Sequence, residues 1–127
     1  MSKVFVSGPM TREDSSQIFD EAVQTLKGLG YEEIFDPSKI DYDHKSYQGK
    51  PSSGFRQQIA ELSTSDVLVL LDGWQNSRGC VIELVNAVVF GLEIFELKSS
   101  GLIAADYNSS NINSAAADLF TNQQRNF

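Results

Sequence analysis

Glu83 has almost wholly apolar neighbours in the sequence. It stands in Cys80-Val81-Ile82-Glu83-Leu84-Val85, with Ala87, Val88 and Val89 close behind. A helix through this stretch carries one acid into a hydrophobic setting, where an unpaired carboxylate either costs several kcal/mol or takes up a proton. Settings that perturb a carboxyl group in this way are where catalytic acids are found. The competing reading is structural. An acid near the start of a helix can cap it, or pair with Arg78, and the helix dipole favours both.

Two other segments carry residue types able to hold a small polar ligand. In Ser7-Gly8-Pro9-Met10-Thr11 the glycine lets backbone approach a ligand closely, and the amides after it can face a phosphate or sugar oxygen. The segment is neither the dinucleotide fingerprint nor a P-loop, and its plain alternative is a simple turn. In Asp72-Gly73-Trp74 a carboxylate can grip a sugar hydroxyl while an indole stacks on a base. Equally, Asp72 can cap the turn and Trp74 can cover the edge of the core. His44, beside Asp41, Tyr42 and Asp43, reads as solvated loop because a lone histidine with scattered carboxylates is a poor ligand set. No metal and no cofactor are expected.

The elements that must position these residues follow from periodicity. Val4-Phe5-Val6 stopped by Ser7-Gly8-Pro9 is a buried strand. Over residues 15–29, Ile18, Phe19, Ala22, Val23, Leu26 and Leu29 recur at helical steps, with Gly28 and Gly30 as the stop. Residues 32–35 form a second strand ended by Asp36-Pro37. Residues 38–53 are a long polar loop of the kind that is often functional. Phe55, Ile59 and Leu62 mark a helix over about residues 54–62. Asp66-Val67-Leu68-Val69-Leu70-Leu71-Asp72 is a strand buried on both faces, as in a parallel sheet covered by helices. Residues 73–79 are a loop, 80–90 a very apolar helix closed by Gly91, and 92–97 a fourth strand. A further helix is expected over about residues 113–123.

Alternating strands and helices imply an α/β fold, a single-domain doubly wound (Rossmann- or flavodoxin-like) parallel sheet of about four to five strands with helices on both faces. In such sheets ligands sit outside the carboxyl ends of the strands, at the loops of residues 7–14, 36–54 and 72–79. The chain of 127 residues suits one domain. Its net charge of -7 repels polyphosphate backbones and anionic membranes, so neither a nucleic acid polymer nor a membrane is an expected partner. The single cysteine, Cys80, excludes an internal disulfide and suits a reducing compartment. With no signal-type leader and no stretch of about 20 apolar residues, a soluble cytoplasmic protein is expected.

Taken together the segments resemble the nucleoside 2-deoxyribosyltransferase superfamily, and within it a short phage and bacterial branch related to nucleoside 5′-monophosphate N-glycosidases. The branch pattern is a strand ending S-G-P-M-T, an R-x-x-I helix, a strand ending near D/P-G-W, then S-R-G-x-x-x-E leading into A-x-x-x-G. Here it reads Ser7 to Thr11, Arg56-Gln57-Gln58-Ile59, Asp72-Gly73-Trp74, Ser77 to Glu83, and Ala87 to Gly91. The resemblance covers residues 3–97. It implies that Glu83 is a nucleophile that attacks the anomeric carbon, expels the nucleobase and forms a covalent glycosyl-enzyme. Water then gives a hydrolase and a second base a transferase.

In the relatives acting on free nucleosides an Asp commonly stands six positions before the nucleophile, whereas in the monophosphate N-glycosidases a Ser there contacts the phosphate. This chain has Ser77, with Arg78 and a helix amino terminus behind it, a setting suited to an anion. The expected substrate is a (deoxy)nucleoside 5′-monophosphate. The expected substrate contacts are Ser7, Gly8, Pro9, Met10, Thr11, Asp36, Gln58, Asp72, Trp74, Ser77, Arg78 and Gly79. The alternatives are base exchange on nucleosides and nucleotide binding without chemistry. The latter draws on a departure: the relatives usually carry an Asp eight residues before the one that opens the buried strand, and counting back from Asp66 gives Gln58. Glutamine neither takes a proton nor supplies charge. The resemblance also implies a homodimer or larger homo-oligomer and, for a phage-encoded chain, the bacterial host cytoplasm.

Overall fold

Side chains of the first strand, β1 (Lys3–Ser7), alternate between two covers, as the two-residue period of a strand requires. The computed structural model of the protein describes residues 2–10, 13–40 and 53–107. Val4 and Val6 pack with Phe19, Ala22 and Leu26 of α1 (Ser15–Gly28) on one face. Phe5 packs on the other face, in a cluster with Leu62 of α2 (Ser53–Ser63) and Cys80, Leu84 and Ala87 of α3 (Arg78–Phe90). All four residues of β3 (Val67–Leu70) are buried and divide between the two covers in the same way.

The sheet is completed by β2 (Glu33–Phe35), β4 (Glu93–Lys98) and β5 (Gly101–Ala104), in the spatial order β2-β1-β3-β4-β5. The β1–β2, β1–β3 and β3–β4 pairs are parallel. This is the doubly wound α/β sheet that the strand–helix alternation implies. Among the described residues no helix is long and apolar enough to cross a membrane.

Helix ends follow local chemistry. Ser77, in extended conformation, accepts the Cys80 amide on its side chain and so starts α3 at Arg78, two residues before the point read from periodicity alone. Gly91, at φ 80°, ends it in a Schellman arrangement, with Leu92 N donating to Ala87 O at 2.9 Å and Gly91 N to Val88 O at 3.2 Å.

Sequence periodicity did not reveal β5. It pairs antiparallel to β4, with Lys98 opposite Gly101, so only Ser99 and Ser100 form the turn. The sheet is therefore parallel over four strands with an antiparallel edge. Four residues behind a Ser-Ser turn are too short to show a period, and their strand character comes from pairing with β4. The helix expected over residues 113–123 lies outside the described residues.

Candidate active site

The sheet reverses direction at the boundary of β1 and β3. From β1 the chain leaves through α1 towards β2, and from β3 through α3 towards β4 on the opposite side. In doubly wound sheets ligands sit at such a switch point, outside the carboxyl ends of the strands. Ser7, the last residue of β1, is in register with Leu70, and Leu71 N donates to Ser7 O at 2.8 Å. The two outgoing loops touch. Gly73 sits at φ 88°, and a Cβ there would lie 3.3 Å from the Pro9 ring. A Cβ on Gly8 would meet the Leu71 side chain at 3.0 Å. Glycine at both places lets the loops lie against each other.

Strand parity puts Ser7 on the same face as Phe5, towards α3, and the second turn of α3 brings Glu83 to it. The Ser7 hydroxyl donates to Glu83 Oε1 at 2.8 Å, and both residues are buried, at 0% and 3% exposure. Glu83 Oε2 is enclosed and has no hydrogen-bond partner among the described residues. Burial drives the Glu83 pKa up to about 8, while the bond from Ser7 pulls it the other way. Cys80, one turn earlier on the helix, is buried beside the pair. Burial pushes its thiol up to about 11 against the lowering effect of hydrogen bonding with Ser7 and Ser77, and the Glu83 charge adds to the rise. The buried acid is therefore not the cap of its helix. Ser77 is the cap, and the Glu83 hydrogen bond runs to β1 instead.

The start of α3 forms the outer part of this corner. The Ser77 Oγ accepts from Cys80 N at 3.3 Å. Arg78 is exposed beside it. A Cβ on Gly79 would come 3.2 Å from the Phe55 ring, so glycine here lets α2 close on the first turn of α3. Gln58, one turn beyond Phe55, is buried at 3% exposure on α2, the helix that packs on α3.

Several of the other expected contacts have partners within the fold. Trp74 opens a single 3-10 turn (Trp74–Asn76) and is 3% exposed, packed in the α3-side core. Its indole N–H donates to Glu96 Oε1 at 2.8 Å, so Trp74 covers the core edge and does not offer its ring to a base. Asp72 is exposed and ion-paired with Lys98 at 2.8 Å. The Asp36 side chain accepts from Ser38 N and Oγ at 2.9 and 2.6 Å, capping the turn after β2. Pro9 is half-buried and Met10 exposed in the β1 loop. Thr11, His44 and most of the long loop lie outside the described residues.

Periodicity passed over Glu96. This carboxylate, 5% exposed, accepts from Trp74 and, through Oε2, from Asp106 N at 3.3 Å, with Lys98 Nζ 3.9 Å from Oε1. It ties β4, the β3–α3 loop and the segment after β5 together. The signal was present in the sequence, since Glu96 continues the period-two face of Ile94 in β4. Among the described residues no three His, Cys, Asp or Glu side chains are grouped to hold a metal ion.

The corner thus offers an enclosed acid with one oxygen held and the other without a partner among the described residues, next to a helix amino terminus with a hydroxyl and a guanidinium. An acid so placed can attack an electrophilic carbon, and the helix terminus can hold an anion. A family model described as a domain of unknown function (DUF4406) matches residues 2–96. Among solved structures, a 2-deoxyribosyltransferase from the psychrotolerant bacterium Bacillus psychrosaccharolyticus shares the fold with a TM-score of 0.58 at 15% identity. The match covers 90% of this chain and 82% of that one. No curated protein matches the chain. The resemblance read from the motifs thus holds at the level of the fold.

Proposed function

The chain belongs to the DUF4406 family, and from its 2-deoxyribosyltransferase-like fold and the enclosed Glu83 we propose that it cleaves the N-glycosidic bond of a (deoxy)nucleoside 5′-monophosphate. The observation that carries this reading is the state of Glu83, which lies at the switch point of the sheet with Ser7 on Oε1 and, among the described residues, no partner on Oε2. A desolvated carboxylate interacts strongly with positive charge, and the transition state of glycosidic cleavage is oxocarbenium-like. The structural neighbour acts on the same class of bond by its name, a 2-deoxyribosyltransferase.

In the first half-reaction Glu83 Oε2 bonds to the anomeric carbon. The C1′–N pair leaves with the base, which takes a proton from water. In the second, water bonds to the same carbon and releases its proton to solvent, while the C1′–Oε2 pair returns to Glu83. Substrate entry must uncover Oε2. Because burial holds the resting carboxyl at about 8, its proton passes to solvent before attack, and the ionised form then faces the positive charge that develops in the transition state. The phosphate is assigned to the amino terminus of α3, which carries Ser77, Arg78 and the first-turn amides, with the Gly8–Met10 loop on its other side.

The test is incubation with a panel of ribo- and deoxyribonucleoside monophosphates and chromatographic detection of free base. Base release that is lost in Glu83→Gln and Glu83→Ala is the expected result; no release from any nucleotide overturns the proposal. Exchange onto an added base with free nucleosides would instead mark a transferase. Gln58 favours a second reading, a nucleotide-binding protein without turnover, whose mark is thermal stabilisation by nucleotides that stay intact.

A further inference from the structure

The short sequence motif suggested that Ser7 touches the substrate, but the structure gives its hydroxyl another task. We propose that Ser7 is a positioning residue that holds Oε1 of Glu83, so that Oε2 is the oxygen that bonds to the sugar. The inference rests on the glycosidase reading and assigns the roles of the two carboxylate oxygens within it.

The geometry supports this at three points. Ser7 is fixed against β3 by its register with Leu70 and by the bond from Leu71 N to its carbonyl at 2.8 Å. Its side chain is fully enclosed and its O–H is directed at Glu83 Oε1, 2.8 Å away, across 76 residues of sequence. The other carboxylate oxygen has no partner among the described residues. A carboxylate with one oxygen anchored to a sheet and one unclaimed has a fixed direction of attack, and rotation about the terminal torsion of Glu83 is stopped by the bond.

The same contact serves both half-reactions. Before attack the Ser7 donor favours the ionised carboxyl, because a hydrogen bond to the charged form stabilises it. Once Oε2 has bonded to the sugar, Oε1 becomes the carbonyl oxygen of the ester. When water displaces that ester, the returning electron pair is shared onto Oε1, and the Ser7 O–H receives the charge as it forms. Ser7 therefore acts through Glu83 and makes no bond to substrate.

The experiment compares wild type, Ser7→Ala and Ser7→Thr in base release from nucleoside monophosphates as a function of pH, with thermal unfolding as the check on folding. In Ser7→Ala, kcat falls by about tenfold to a hundredfold, the kinetic equivalent of one hydrogen bond to a charged group, while KM holds. The rising limb of the pH profile moves to higher pH. Ser7→Thr keeps the donor and restores the limb. An unchanged kcat and limb in Ser7→Ala overturns the inference, as does a raised KM with kcat held, which would make Ser7 a substrate contact. If wild type releases no base, the glycosidase reading fails. The Ser7 contact is then judged from the carbon-13 titration of the Glu83 carboxyl, where an upward move in Ser7→Ala supports it and no move overturns it.

Discussion

Glu83→Gln is expected to make the protein more stable, by an amount that grows with pH. In the folded chain burial holds the carboxyl at about 8 against an ordinary value of 4.5. Below 4.5 both folded and unfolded chains carry the proton and the buried acid is neutral. Between 4.5 and about 8 the unfolded chain releases the proton while the folded chain keeps it, so stability falls by ~1.4 kcal/mol per pH unit. Above 8 both are ionised and the loss is complete, on the order of 5 kcal/mol from end to end. That is a large fraction of the roughly 5–15 kcal/mol that holds an ordinary domain together. Glutamine has nearly the same shape, keeps an acceptor for the Ser7 hydroxyl and cannot ionise, so it mimics the protonated acid at every pH. Denaturant melts of both proteins from about pH 4 to 9 give a difference curve that cancels the other acids of this negatively charged chain. The curve should be near zero below about pH 4.5, reach about 3 kcal/mol at about pH 7 and level off above about pH 8. A difference that stays flat across the range would show that the Glu83 carboxyl is ionised in the fold at ordinary pH, and would refute its burial as a neutral acid. The same substitution is expected to abolish base release, which would place stability and activity in opposition at one residue.

Cys80, 1% exposed and with its thiol pushed up to about 11, should resist alkylation by iodoacetamide at about pH 8 in the native protein and react on unfolding. Rapid labelling of native protein would mean that the corner is open. Trp74→Phe removes the indole donor from buried Glu96 and should cost about 2–3 kcal/mol in a denaturant melt. Because Trp74 is the chain's one tryptophan and lies in the core, its fluorescence maximum should stay blue-shifted and move little when nucleotide binds. Gly73→Ala combines a left-handed backbone at φ 88° with a 3.3 Å approach to Pro9, and should destabilise by roughly 1–3 kcal/mol with a matching fall in melting temperature.

Sequence alone showed the order of strands and helices from β1 to β4, because periods of two and about 3.6 residues are written locally in the chain. It showed that β3 is buried on both faces, that α3 is apolar with one acid in it, and that loops follow β1 and β3 at the carboxyl ends of the strands. The boundaries shifted where a cap decided them, as at Ser77. The fold of a 2-deoxyribosyltransferase could be read from short motifs because those motifs mark the ends of strands and the start of α3, which the topology brings to one edge of the sheet.

What the sequence did not determine depends on contacts between distant residues. The role of Ser7 comes from strand parity and sheet register, which aim it at α3 instead of α1 and bring it to an acid 76 positions away. Trp74 looked equally suited to a base and to the core, and the buried carboxylate of Glu96 decides for the core by accepting its N–H. The antiparallel β5 exists by pairing with β4. Glu83 was conspicuous from the start because a single charge among apolar residues needs no partner to be noticed. That one of its oxygens is held and the other has no partner among the described residues is a property of the packed sheet and helix together.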